Sequence, residues 1–146
     1  MKRRDAIIGS ALLAGMSAKD VFAQTGKRFG DTISPPSKEQ GVEKHVPMID
    51  APSSAKAGEP FTITVEVGKV IPHPNTLEHH IKWIQVYALE EGSQYAVELG
   101  SFEFGPTYAQ PKVTVPVMLK KNATIYALEL CNIHGVWDNS VNVKIM

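Results

Sequence analysis

The sequence predicts an all-β protein, a small antiparallel sandwich. Two observations carry that expectation. Short runs of alternating apolar and polar residues recur along the chain, and each is bounded by glycine, proline or asparagine. No stretch beyond residue 41 shows a convincing helical period, and there is no internal repeat.

The expected elements follow in order. Phe61, Ile63, Val65 and Val67 alternate with Thr62, Thr64 and Glu66, the period of a half-buried strand. Ile81 to Leu89 is rich in aromatic and β-branched residues, and Val97 to Phe104 alternates more loosely. Val113, Val115 and Val117 alternate with Lys112, Thr114 and Pro116, and the proline predicts an edge or a bulge. Thr124 to Cys131 and Val141 to Ile145 complete the set. Turn residues separate the runs at Gly58-Glu59-Pro60, Gly92-Ser93, Gly105-Pro106 and Lys121-Asn122. Six or seven short strands with this punctuation predict a sandwich of immunoglobulin-like type.

With 146 residues and 43% hydrophobic content, the chain supports one core. Formal net charge is zero, which argues against nucleic acid as a partner. No apolar stretch is long enough to cross a bilayer, so no stable membrane insertion is expected. Residues 1–23 read as an export signal. Lys2-Arg3-Arg4 is a basic start, Ala6 to Ala18 a weakly apolar run of small residues, and Val21-Phe22-Ala23 a cleavage site before Gln24. The paired arginines give the signal a twin-arginine character and imply a periplasmic location. Its removal takes away four basic and two acidic side chains, leaving a net charge of −2. Any attraction for an anion must then be local. Residues 24–41 are polar with several glycines and prolines and read as a linker or disordered lead-in. The sandwich domain is expected over 42–146.

The lone Cys131 excludes an intrachain disulfide and any multi-cysteine site, but one cysteine with five histidines permits a mixed thiolate–imidazole centre. Cys131-Asn132-Ile133-His134-Gly135 follows a strand, and Gly135 frees the backbone to leave the turn. Alone, a cysteine in such a place is more often an inert small hydrophobe. Pro72-His73-Pro74 through His79-His80-Ile81 is the second cluster. Its prolines disfavour a regular strand, and in extended chain His79 and His80 point to opposite faces, so only one faces a shared metal. Glu43-Lys44-His45-Val46-Pro47 is the third, and by itself would read as a solvated charged pair beside a surface histidine. Taken together, the clusters offer several imidazoles and one thiolate. That exceeds the four ligands of a closed zinc site and fits iron with one open position.

In this order, E-K-H-V-P, H-P-x-x-x-x-H-H-I and C-N-x-H-G resemble the motifs of the superoxide reductases of the neelaredoxin and desulfoferrodoxin group, over roughly residues 42–146. The resemblance implies an immunoglobulin-like fold and one iron per chain. It also implies His45, His73, His79 and His134 as equatorial ligands with Cys131 as the axial thiolate. Glu43 and Lys44 match the catalytic pair beside the open position, and His80 matches a histidine that is not a ligand. The implied reaction is one-electron reduction of superoxide to hydrogen peroxide, with Lys44 steering the anion. The implied partner is an electron donor protein whose identity the sequence does not give, and a homo-oligomer stays open. The four-cysteine centre of the two-iron members is absent, so the one-iron form is expected. A cupredoxin-like exported electron carrier is the rival reading; it leaves two histidines unexplained and offers only Met146 as a methionine after the Cys-x-x-His turn. A metal-free immunoglobulin-like accessory module is the other, since such sandwiches host many functions.

Overall fold

A computed structural model describes residues 28–146. The expected export signal lies outside the described residues. Phe29–Thr32 forms a 3-10 turn in the N-terminal unit, and Ile33–Met146 forms the second unit, which holds all the strands found among the described residues.

This second unit is mostly β. Eight strands are β1 (Met48–Asp50), β2 (Ser54–Ala55), β3 (Pro60–Glu66), β4 (Ile81–Glu90), β5 (Val97–Glu103), β6 (Lys112–Met118), β7 (Ala123–Cys131) and β8 (Gly135–Ile145). They form a three-stranded sheet, β1-β3-β6, and a five-stranded sheet, β2-β8-β7-β4-β5, antiparallel except for β2 against β8. The alternation in the sequence is the reason: β6 and β7 bury every second residue, and their inward side chains meet those of β3 and β4 in one core. Ile63, Val65, Ile84, Val86, Ile125 and Ala127 are fully buried there. Pro116 sits on β6, an edge strand, where its missing N–H leaves no inner ladder bond unmade.

Three features were not expected. β1 and β2 are too short to show a period. β8 begins at Gly135 rather than near Val141, so it pairs with β7 up to Cys131↔Gly135. A single helical turn, α1 (Val42–His45), precedes β1; four residues cannot display a 3.6-residue pattern. Within the lead-in, Ser34 bridges to β8: its N–H donates to the Val136 carbonyl (2.9 Å) and its carbonyl accepts from Asp138 N–H (3.1 Å).

Candidate metal centre

One end of the sandwich gathers three segments. They are α1, the loop 68–80 between β3 and β4, and the turn between β7 and β8. A backbone bond from Ile71 N–H to the Glu43 carbonyl (3.2 Å) ties the first to the second. Asn132 ties the second to the third. Its side chain accepts from His80 N–H (2.8 Å) and donates to the Glu78 carbonyl (2.9 Å), while its own N–H donates to the His80 carbonyl (3.1 Å).

His45 closes α1 and is 5% exposed. Its Nδ1 lies 2.7 Å from the Gly41 carbonyl. A carbonyl only accepts, so Nδ1 carries the proton and Nε2 keeps a free electron pair. His73 repeats the device: Nδ1 donates to the Pro74 carbonyl at 2.7 Å, and Nε2 is buried with no partner. His79 Nε2 is buried and unpartnered as well. His134 Nδ1 lies 3.1 Å from His45 Nε2 and 3.5 Å from Cys131 Sγ, and His134 N–H points at the same sulfur from 3.4 Å.

Donor atoms of His45, His79, Cys131 and His134 all fall within 4.8 Å of one another. His73 stands outside that four-atom group, yet its ring packs edge-on against His45 (4.9 Å between centroids) and His79 (4.6 Å). His80 turns away, its Nδ1 donating to the Thr76 carbonyl at 3.0 Å.

The electrostatics suit a cation. Burial, and then the neighbouring imidazoles, hold His45 and His79 below the usual histidine range and push His73 down to about 4. At neutral pH these three rings are therefore uncharged electron-pair donors. Burial raises the Cys131 thiol, and the N–H groups of His134 and Ile133 partly offset it. A thiolate there calls for a positive partner. The orphaned His79 nitrogen, a His45 nitrogen freed by its tautomer, a His134 nitrogen and a buried sulfur lie within 4.8 Å of one another, and the orphaned His73 nitrogen belongs to a ring packed beside them; this set fits a metal ion with nitrogen and sulfur ligands.

Glu43 and Lys44 line an open cavity of about 460 Å³ whose wall includes His45, His79 and His134. Lys44 lies close enough to His79 to help depress it. Sequence reasoning missed Trp137, 2% exposed, whose ring stacks on His45 at 4.8 Å and 11°. It also missed Lys38, whose ammonium lies 4.8 Å over that ring. In the sequence, Trp137 is only an apolar residue between the Cys-x-x-His turn and the last expected strand, and Lys38 a charge in a polar lead-in.

Known proteins share this sequence pattern and fold. At 41% identity the chain is similar to the neelaredoxin of Megalodesulfovibrio gigas, with 71% of this chain and 89% of that one covered. It is also 41% identical to the superoxide reductase of Pyrococcus furiosus, covering 70% and 90% of the two chains. The superoxide reductase (neelaredoxin) structure from Ignicoccus hospitalis superposes with a TM-score of 0.76 at 40% identity, covering 82% of this chain and all of that one. The profile described as Desulfoferrodoxin matches residues 37–140, and the chain belongs to the desulfoferrodoxin family.

Proposed function

We propose that this protein is a mononuclear iron superoxide reductase, with its iron held by His45, His73, His79, His134 and Cys131. The observation that carries the reading is the convergence of four nitrogen and sulfur donors within 4.8 Å, from three segments distant in sequence, with the His73 ring packed against two of them. Iron bound there supplies a one-electron couple and a position for a small ligand.

The remaining work falls to the chain. Lys44, on the cavity wall, draws the superoxide anion inward by charge. The carbonyls of Gly41 and Pro74 fix the His45 and His73 rings with Nε2 inward. Trp137 holds the His45 ring plane by stacking. Each superoxide takes up one electron and two protons to give hydrogen peroxide. The protons come from solvent, which reaches the open cavity, with Lys44 and Glu43 as the ionisable groups beside the path. The electron comes from a donor protein outside this chain.

Residues 1–23 support export by a twin-arginine route; fractionation of cells making the full chain tests that proposal, and retention in the cytoplasm counts against it. The cupredoxin alternative loses its axial ligand. Met146 follows the eleven-residue β8, whose other end adjoins Cys131, so at about 3.3 Å per residue it lies roughly 35 Å away.

Iron quantitation combined with pulse-generated superoxide tests the reading. One iron per chain and rapid oxidation of the ferrous protein are expected. Cys131→Ser, folded and iron-loaded, should lose the thiolate-to-ferric charge-transfer band; a surviving band rules out the sulfur as ligand.

A further inference from the structure

The cavity beside the metal donors carries one more cation than the catalytic pair accounts for. Its charged lining consists of Lys38, Lys44 and Glu43, apart from the imidazoles. Lys44 and Glu43 cancel. Without Lys38 these side chains offer a small anion no net attraction, and with it they offer one positive charge. Glu39, next in sequence, is not on the lining.

Lys38 is held over the cavity by contacts that leave its charge intact. Its Nζ sits 4.8 Å above the Trp137 ring and 3.2 Å from Ser34 Oγ. An aromatic face attracts a cation through its quadrupole and a hydroxyl through its dipole; neither neutralises it as a carboxylate would. Among the described residues the ion pairs are Lys56–Glu59 and Lys112–Glu66, so no carboxylate claims Lys38. The anchor points are themselves fixed. Ser34 is bridged by backbone bonds to both sides of Trp137, Lys38 N–H donates to the Pro35 carbonyl at 3.1 Å, and Trp137 is buried. An exposed lysine ordinarily sweeps a wide volume and its charge is diluted over it. Here the end of the chain is confined to the cavity rim.

We propose that Lys38 is a second anion-recruiting residue of this site, clamped by Trp137 and Ser34 so that the cavity lining keeps a net positive charge. This rests on the reading of the site as a superoxide reductase. The charge acts through space on the arriving anion, so it changes the encounter rate and is screened by salt.

The test uses the iron-loaded protein with Lys38→Met, which keeps an apolar stem against Trp137 and removes the charge, and Lys38→Arg, which keeps both. At low ionic strength Lys38→Met should react with pulse-generated superoxide roughly 3- to 10-fold more slowly. The deficit should shrink as salt rises toward 0.5 M, and Lys38→Arg should restore the wild-type rate. Equilibrium binding of azide to the ferric protein, followed by its visible spectrum, should weaken in Lys38→Met with the same salt dependence. The band of the unliganded ferric protein should not move. A Lys38→Met rate, salt slope and azide affinity equal to wild type overturn the inference and leave the superoxide reductase reading standing. A deficit that persists unchanged at high salt shows a structural role and overturns it as well. A wild-type ferrous protein that takes up iron but does not react with superoxide overturns both.

Discussion

At the scale of single residues, Glu129 is the one that chemistry least expects. It lies on the inward face of β7, two positions before Cys131, is 0% exposed, and neither carboxylate oxygen has a hydrogen-bond partner. Burial raises its pKa from 4.5 to about 9. The folded state therefore holds a proton that the unfolded chain releases above pH 4.5, and stability falls as pH rises between these values. Glu129→Gln removes the titration. In the metal-free protein the variant should match wild type near pH 4 and melt several degrees higher at pH 8; equal melting temperatures at pH 8 would show that the carboxyl finds a partner in solution. His73 works in the opposite sense. Its pKa is depressed from 6.5 to about 4, so the unfolded chain binds the proton first, and stability present above 6.5 is lost as pH falls toward 4.

Among the elements, the loop between β3 and β4 depends most on one backbone position. Gly68 has φ +79°, and a Cβ there would lie 2.5 Å from the His73 backbone nitrogen. No side chain fits without moving His73. Gly68→Ala should cost about 1–3 kcal/mol from the strained turn and reduce bound iron below one per chain, since the displaced ring no longer packs on His45 and His79. Calorimetry and iron analysis read the two effects, and full iron occupancy in a folded variant would mean that His73 does not need this turn. The one-turn α1 is also a positioning device. Gly41, at φ +78°, starts the turn, and its carbonyl accepts both from the backbone N–H groups of Lys44 and His45 and from the His45 ring. One carbonyl thereby sets both the backbone turn and the ring's tautomer.

Viewed as a whole, the molecule separates what holds the fold from what holds the metal. The core cluster runs through β3, β4, β6, β7 and β8 and includes Cys131 but none of the histidines. Those sit on α1 and on connections at one end, outside that cluster. Removing the metal with a chelator should therefore leave a folded sandwich. Hydrogen exchange should quicken in residues 68–80 and 132–134 while the amides of β4 and β7 stay protected. The metal-bound protein should melt higher, because an ion that binds only the folded chain stabilises it by mass action. Global loss of protection on chelation would show instead that the fold needs the ion.

What the sequence determined by itself is whatever rests on near neighbours. Alternation and runs of aromatic and β-branched residues placed six strands within a few residues of their ends, except at the start of β8, because burial on one face of a sheet repeats every two residues and such side chains fit a pleated surface. Donor chemistry was equally local, since a thiol and clustered imidazoles in loops are visible wherever the chain carries them, and so was the argument that His79 and His80 cannot face the same point. Contacts between residues that only folding brings together decided the rest. His45 meets His134 across 89 positions and Trp137 across 92, and both are invisible to any periodicity. Glu129 reads in sequence as an ordinary strand carboxylate; only the second sheet closing over β7 makes it a buried acid. Lys38 is one charge in a polar segment until the bridge of Ser34 to β8 sets it above Trp137. Pattern along a chain fixes which face is apolar, whereas the field, the tautomer and the free electron pair at a site are set by whatever the rest of the fold places against it.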